Sequence, residues 1–329
     1  MLEEMGGIRS VLSGLGQHWA GRGRYLHWYN VRGQFERPWP EFDESALELS
    51  AQIATALRLA SPADSFKLRY LAANSPNAYV RRSTLNSLAD GWPDDPDTAA
   101  FLRDRATNDP EPGPRSTALQ ALAQSQPDGP DTTAFLRDRA TNDPEPGPRS
   151  TALRVLAQSW ADDPSTAAFL RDRATNDPEP GPRSAALQVL ARGWADDPDT
   201  AAFLRDRATN DPELSPRSIA LQALAQSWAD DPSTAAFLRD RATNDPEPGP
   251  RSTALQALAR GWADDPDTAA LLRDRATNDS ASGPRSAALR TLARGWADDP
   301  DTAAFLRDRA TNDPEPGPRN IALQVLAQS

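Results

Sequence analysis

The sequence contains no cysteine and only two histidines, His18 and His27, in 329 residues. Without thiols there is no disulfide framework, no thiol nucleophile and no zinc site built on thiolates. A metal cluster would have to lean on carboxylates. The two histidines have no carboxylate at a telling spacing, so they make a poor acid–base pair. Neither a glycine-rich phosphate loop nor a Walker A motif occurs. No apolar stretch approaches the ~20 residues that span a bilayer. The acidic start Met1-Leu2-Glu3-Glu4 lacks the apolar run of a secretory signal. Positive charge is in deficit, with 36 Lys+Arg against 47 Asp+Glu and a net charge of −11. That argues against nucleic acid as the main partner, because phosphate contacts need clustered cations. These absences predict a cytoplasmic protein with no membrane segment, no cofactor and no catalytic constellation.

What the sequence has in abundance is repetition. The string Phe-Leu-Arg-Asp-Arg-Ala-Thr-Asn-Asp-Pro begins at Phe101, Phe135, Phe169, Phe203, Phe237 and Phe305, in register with a period of 34 residues, and Leu271 opens a variant of it. A degenerate copy begins at Lys67, where Leu68, Arg69, Ala72, Asn74, Pro76, Arg81, Leu85, Leu88 and Trp92 hold the register. The chain therefore divides into an N-terminal capping region, 1–66, and an array of eight copies, 67–329, the last of them partial. Such a fixed period marks a repeat architecture.

Each copy reads as two helices. In the copy around Phe169, Asp163 supplies an N-cap and Pro164 the first helical position, where a missing N–H costs nothing. Thr166 to Thr175 then carries Ala167, Leu170 and Ala174 at helical spacing. Asn176-Asp177-Pro178 breaks that helix. Glu179-Pro180-Gly181-Pro182 is expected as a stiff turn whose last proline starts the second helix. That helix is expected over Arg183 to Arg192, with Ala186, Leu187 and Leu190 on one stripe. No segment alternates with period two, so no sheet is predicted. A single copy has too few large apolar side chains to fold alone and must bury its flanks against neighbours.

A period of 34 residues also suits tetratricopeptide repeats, but these place Trp, Leu-Gly and Tyr in the first helix and join the helices by a short turn. Here no Leu-Gly-x-x-Tyr occurs and a proline-rich loop joins the helices. The pattern instead has an Asp before the second helix and an Arg six positions later, as in Asp109/Arg115, Asp143/Arg149, Asp177/Arg183 and Asp211/Arg217. The helix then continues Ala-Leu-x-x-Leu, as Ala118-Leu119 and Leu122, and the degenerate copy carries Val80-Arg81. With these residues the array resembles HEAT repeats, more closely the short HEAT-like repeats of the phycobilisome-lyase type. It departs from them by placing Pro before the Arg. Similar arrays look like the C-terminal sensor regions of bacterial NACHT-type ATPases. The resemblance implies an all-α fold, an alpha-alpha superhelix (α-solenoid) behind an N-terminal helical cap. It also implies that the Asp and Arg form a ladder of ion pairs along the stack. The constant Leu-Arg-Asp-Arg segment (Arg171, Asp172, Arg173) is expected as a solvated face with local pairing.

The copies differ from one another in four columns of the second helix. One runs Thr117, Thr151, Ala185, Ile219, Thr253, Ala287, Ile321, and another Ala121, Val155, Val189, Ala223, Ala257, Thr291, Val325. The other two are polar: Gln120, Arg154, Gln188, Gln222, Gln256, Arg290, and Gln124, Gln158, Arg192, Gln226, Arg260, Arg294. At 100° per residue the four columns share an arc of about 100°, opposite the invariant Ala and Leu. One face is thus expected to be fixed by packing and the other free to change. The resemblance would place this stripe on the concave surface. The loops at its edges are acidic. A polar, partly cationic groove between acidic rims suits another protein or peptide of acidic character, in a scaffold or sensor module. Neutral drift after duplication would give the same variation.

Residues 1–66 are unlike the copies. Ile8 to Trp19 and Glu44 to Leu59 read as helices. Between them Arg22, Arg24, Tyr25, His27, Trp28, Tyr29 and Arg32 form an aromatic, basic cluster, expected to cap the first copy. At the other end no cap follows the last copy, which leaves oligomerisation through that end open. A bilin-handling role of the phycobilisome-lyase type would need a pigment pocket, and only the cluster over 18–32 offers aromatics and histidine together. Nucleic-acid binding would rest on Arg154, Arg192, Arg260, Arg290 and Arg294.

Overall fold

The computed structural model describes residues 64–126, 130–161 and 163–328. The candidate cap, both histidines and the aromatic, basic cluster lie outside the described residues. Sixteen helices occur among the described residues, and no strand. They are α1 (Asp64–Asn74), α2 (Ala78–Gly91), α3 (Pro96–Asn108), α4 (Pro112–Ser125), α5 (Pro130–Asn142), α6 (Pro146–Ser159), α7 (Pro164–Asn176) and α8 (Pro180–Gly193). Then follow α9 (Pro198–Asn210), α10 (Leu214–Ser227), α11 (Pro232–Asn244), α12 (Pro248–Gly261), α13 (Pro266–Asn278), α14 (Ser282–Gly295), α15 (Pro300–Asn312) and α16 (Pro316–Leu326). Odd-numbered helices open a copy and even-numbered ones close it. The expected all-α class is what the chain adopts.

Local chemistry sets each helix. Most odd helices start on an Asp whose carboxylate caps a free N–H, as Asp163 Oδ1 accepts from Ser165 N at 2.9 Å, with Pro164 next at N1. They stop at the Asp before the proline-rich loop, and that Asp caps the loop in turn: Asp177 Oδ1 accepts from Glu179 N at 3.0 Å. The even helices start earlier than the sequence suggests. Pro180, Gly181 and Pro182 form the first turn of α8 instead of a turn ahead of it. The reason is that the N–H groups of a first turn have no partner in the helix, so two prolines there remove nothing. A Trp ends most even helices. Its N–H caps the last turn, as Trp194 N to Leu190 O at 3.0 Å, and its carbonyl accepts the N–H of the next capping Asp, Asp197, at 3.3 Å.

The chain forms two compact units, Met1–Val155 and Leu156–Ser329, divided within α6. In the first, α1 packs on α2, α3 on α4, and α2 on α4. In the second, α7 packs on α8, α9 on α10, α11 on α12, α13 on α14 and α15 on α16, while α8, α10, α12, α14 and α16 pack side by side in that order. Each unit has the consecutive helix packing of an α-solenoid. An internal even helix therefore touches its own hairpin partner and two even neighbours. The core is a column of leucines, with Leu170, Leu187, Leu190, Leu204, Leu221 and Leu224 all at 0% exposure.

Within each unit, two ladders of charge tie neighbouring copies together. In the first, Arg183 Nε and NH2 grip Asp211 Oδ2 and Oδ1 at 3.0 and 2.9 Å, and its NH1 donates to the carbonyl of Asp177 in its own copy at 2.9 Å. The same fork joins Arg81 to Asp109, Arg115 to Asp143, Arg251 to Asp279 and Arg285 to Asp313. These arginines and aspartates are buried, so the ladder, and not ligand binding, is what the Asp/Arg pattern makes. The second ladder corrects an expectation. Asp172 and Arg173 do pair locally, but Arg171 reaches into the next copy, to the capping Asp197 and, at 2.9 Å, to Thr200 Oγ1. Arg69, Arg205, Arg239 and Arg273 likewise reach Asp95, Asp231, Asp265 and Asp299. The first Arg of the segment is thus a connector between copies.

Candidate functional site

The four variable columns do not share one fate. Those of Thr117 and Ala121 are largely buried, as at Thr117, Ala185, Ala223 and Ala257, with 4, 2, 5 and 3% exposure. The expectation that the whole arc is free was wrong. Neighbouring even helices lie against these columns: Arg82 Nε donates to Thr117 Oγ1 at 3.2 Å, and Ser227 Oγ to the carbonyl of Ala191 at 2.9 Å. Only residues from Ala to Ile occur there because the gap between two helices limits volume.

The Gln120 and Gln124 columns are the solvent-facing ones. In the first unit Gln120, Gln124 and Arg154 are exposed. In the second, Gln158, Arg192, Gln226, Gln256, Arg260, Arg290 and Arg294 are exposed, while Gln188 and Gln222 are half-buried. Those two are half-buried because they sit in a shallow pocket between α8 and α10. Its wall is polar, with Gln188, Arg192, Gln222 and Gln226, over a floor that includes Ala191, Ile219 and Ala223. Four of the predicted stripe residues therefore converge on one pocket. Ile219 was not singled out as functional. Its signal was there, since most copies place Thr or Ala in that column.

Electrostatics separate the stripe from the rest of the copy. The chain has one lysine, Lys67, so its cationic chemistry is guanidinium chemistry. Most arginines of the copies are neutralised by the two ladders or by an adjacent aspartate. Arg251 is a case: its hydrogen bond to Asp279 holds its pKa above the ordinary value. By contrast Arg154, Arg192, Arg260, Arg290 and Arg294 make no ion pair among the described residues. Arg192, Arg260 and Arg294 lie in the last turn of their helices, where a cation also complements the helix dipole. Arg154 and Arg290 are mid-helix and have no such reason. The stripe can therefore donate hydrogen bonds from amide and guanidinium groups without first breaking internal ones. Among the described residues no group of His, Asp and Glu is placed to hold a metal, and no helix is long and apolar enough to cross a membrane.

Comparison with known proteins agrees with this architecture. No curated protein matches the chain in sequence. Among solved structures, that of YibA from E. coli superposes with a TM-score of 0.48 at 16% identity, over 89% of this chain and 100% of YibA. Kap121p superposes with a TM-score of 0.50 at 14% identity over 86% of this chain. Kap121p bound to Nup53p gives 0.52 at 15% over 89%. The chain spans only 35 to 36% of the length of Kap121p. At these identities the likeness is one of fold. The family profile described as HEAT repeats matches residues 67–157, 133–225 and 235–327. Those three stretches take in most of the sequence, and the chain belongs to the HEAT-repeat family.

Proposed function

We propose that the chain is a non-catalytic interaction module that binds another protein or peptide, rich in acidic and amide groups, on the solvent-facing side of its even helices. The observation that carries this reading is that the five arginines of the two solvent-facing columns are all left without carboxylates in a chain of net charge −11. A cation that the protein's own excess acid does not neutralise is available to a partner's acid, and complementary charge guides encounter and fixes register. The glutamines add donors and acceptors for a peptide backbone. The pocket between α8 and α10, polar-walled with an apolar floor, has the make-up of a side-chain pocket. HEAT-type arrays serve many roles, so the reading rests on the site and not on the fold. Kap121p with Nup53p bound is one case of a similar fold engaging a protein.

The test changes Arg154, Arg192, Arg260, Arg290 and Arg294 together to Gln, the residue that other copies carry in these columns. Partner capture from the native host should fall at least about tenfold, a loss of ~1.4 kcal/mol, while helicity and melting stay unchanged. Equal capture by the variant would remove the stripe as the site. A steep linear fall of log affinity with log salt, shared by any oligonucleotide, would favour nucleic acid instead.

A further inference from the structure

The interaction face is not uniform along the second unit. The four polar positions around the pocket between α8 and α10 recur two 34-residue periods further on. There α12 lies against α14 as α8 lies against α10. Gln188, Arg192, Gln222 and Gln226 correspond to Gln256, Arg260, Arg290 and Arg294. The positions that carry one guanidinium and three amides on α8 and α10 carry three guanidiniums and one amide on α12 and α14, all four exposed.

All three of these arginines are exposed and none makes an ion pair. On the same two helices Arg251 and Arg285 are fully engaged, each by a carboxylate of the following copy. Arg290 and Arg294 stand one helical turn apart, a like-charge arrangement that disfavours the helix. The acidic loops that follow, with Asp264 and Asp298 exposed, flank the cluster without neutralising it. The unit thus carries a local cationic focus bounded by acid, in place of a continuous basic track.

We propose that the exposed face of α12 and α14 carrying Arg260, Arg290 and Arg294 binds a phosphorylated serine or threonine side chain of the partner. This deepens the reading of the even-helix face as a protein-binding surface and rests on it. A side-chain carboxylate brings one charge and two oxygens, enough for one guanidinium fork. A phosphate monoester brings about −1.5 to −2 charges and three terminal oxygens, each able to accept more than one hydrogen bond, so it can engage several guanidiniums at once, and charge-assisted bonds of this kind are the strong ones. A nucleic acid would need cations beyond the cluster, where the acidic loops lie instead.

The experiment uses the full chain and fluorescein-labelled synthetic peptides of Gly, Gln and Ser, identical except for a central phosphoserine, serine or glutamate. An oligonucleotide of matching length is the fourth probe. The phosphoserine peptide should bind at least about tenfold tighter than the other two. The triple variant Arg260→Gln, Arg290→Gln, Arg294→Gln should erase that preference with unchanged melting. Gln occupies these columns in other copies, so the variant keeps a tolerated residue at each place. Equal binding of glutamate and phosphoserine would overturn the phosphate site, and so would persistence of the preference in the triple variant. Tighter binding of the oligonucleotide would overturn it in favour of nucleic acid. If the phosphate preference fails while the five-arginine variant still loses the native partner, only this inference falls. If both fail, the interaction face falls with it.

Discussion

At the scale of single residues, the copies are joined by buried ion pairs in which, at most rungs, each nitrogen of the guanidinium has a partner. Arg183 and Asp211 have side-chain exposures of 5% and 0%. Taking two charges out of water is costly, and the cost is met only because the guanidinium is shared between two carboxylate oxygens and a backbone carbonyl. Such a pair adds little over an apolar one but is damaging to break, because the survivor stays buried and unpaired. Arg183→Ala should therefore cost ~3–5 kcal/mol of stability, measured by urea unfolding. Arg173→Ala, which removes a surface partner of Asp172, should cost ~1 kcal/mol or less. Similar losses at the two sites would mean that the ladder is not buried as described. One rung is less regular: Arg217 Nε and Asp245 Oδ2 are buried without hydrogen-bond partners. It lies in the copy where Leu214 and Ser215 replace Pro and Gly.

At the scale of the helix, the capping aspartates link acid stability to the fold. Asp231 accepts from Ser233 Oγ at 2.7 Å, from Ser233 N at 2.9 Å, from Thr234 Oγ1 at 3.0 Å and from Arg205 at 2.9 Å. The Ser233 hydroxyl first, then its N–H, bring the Asp231 pKa from 3.8 down to about 2. The group binds protons more weakly folded than unfolded. Its stabilisation is thus complete above the unfolded value of 3.8 and is lost as pH falls through about 2. Asp197 and Asp299 are shifted in the same direction, the first chiefly by its hydrogen bond from Arg171, the second by the N–H of Asp301. Ser233→Ala should raise the Asp231 midpoint toward 3.8 in a carboxyl NMR titration and move acid unfolding to higher pH. An unmoved midpoint would show that the hydroxyl is not the cause. These caps and the helix pairs were legible in the sequence, because Asp-Pro starts are local signals, and the first ladder was implied by the resemblance to HEAT repeats. The second ladder was not, since Arg171 meets Asp197 in the next copy and nothing near either residue announces it. The buried columns misled for a different reason. A helix packed on one partner has one free face, but α10 is packed on α8, α9 and α12, which leaves only the strip at Gln222 and Gln226. The pocket needed coordinates, because it depends on the offset between two helices.

At the scale of the array, identical side chains should differ in worth according to their neighbours. Leu221 and Leu323 hold the same place in their copies, on α10 and α16. Leu221 is fully buried and Leu323 is 55% exposed. Helix α10 has an even helix on each side, whereas α16 packs on α14 and α15. Accordingly α10 buries seven residues, from Pro216 to Ala225, and α16 buries only Pro318 and Ala322. In a stack of repeats, stability is a sum of weak intrinsic terms and strong terms from contact with the next repeat. Leu221→Ala opens a cavity with walls on every side and should cost ~2–5 kcal/mol. Leu323→Ala removes a side chain already half in water and should cost ~1 kcal/mol or less. Hydrogen exchange should follow the same order, with the amides of α16 exchanging ahead of those of α10. Equal costs for the two substitutions would mean that each hairpin holds itself together. The fold would then no longer explain why the even-helix face is fixed enough to keep Gln188, Arg192, Gln222 and Gln226 around one pocket.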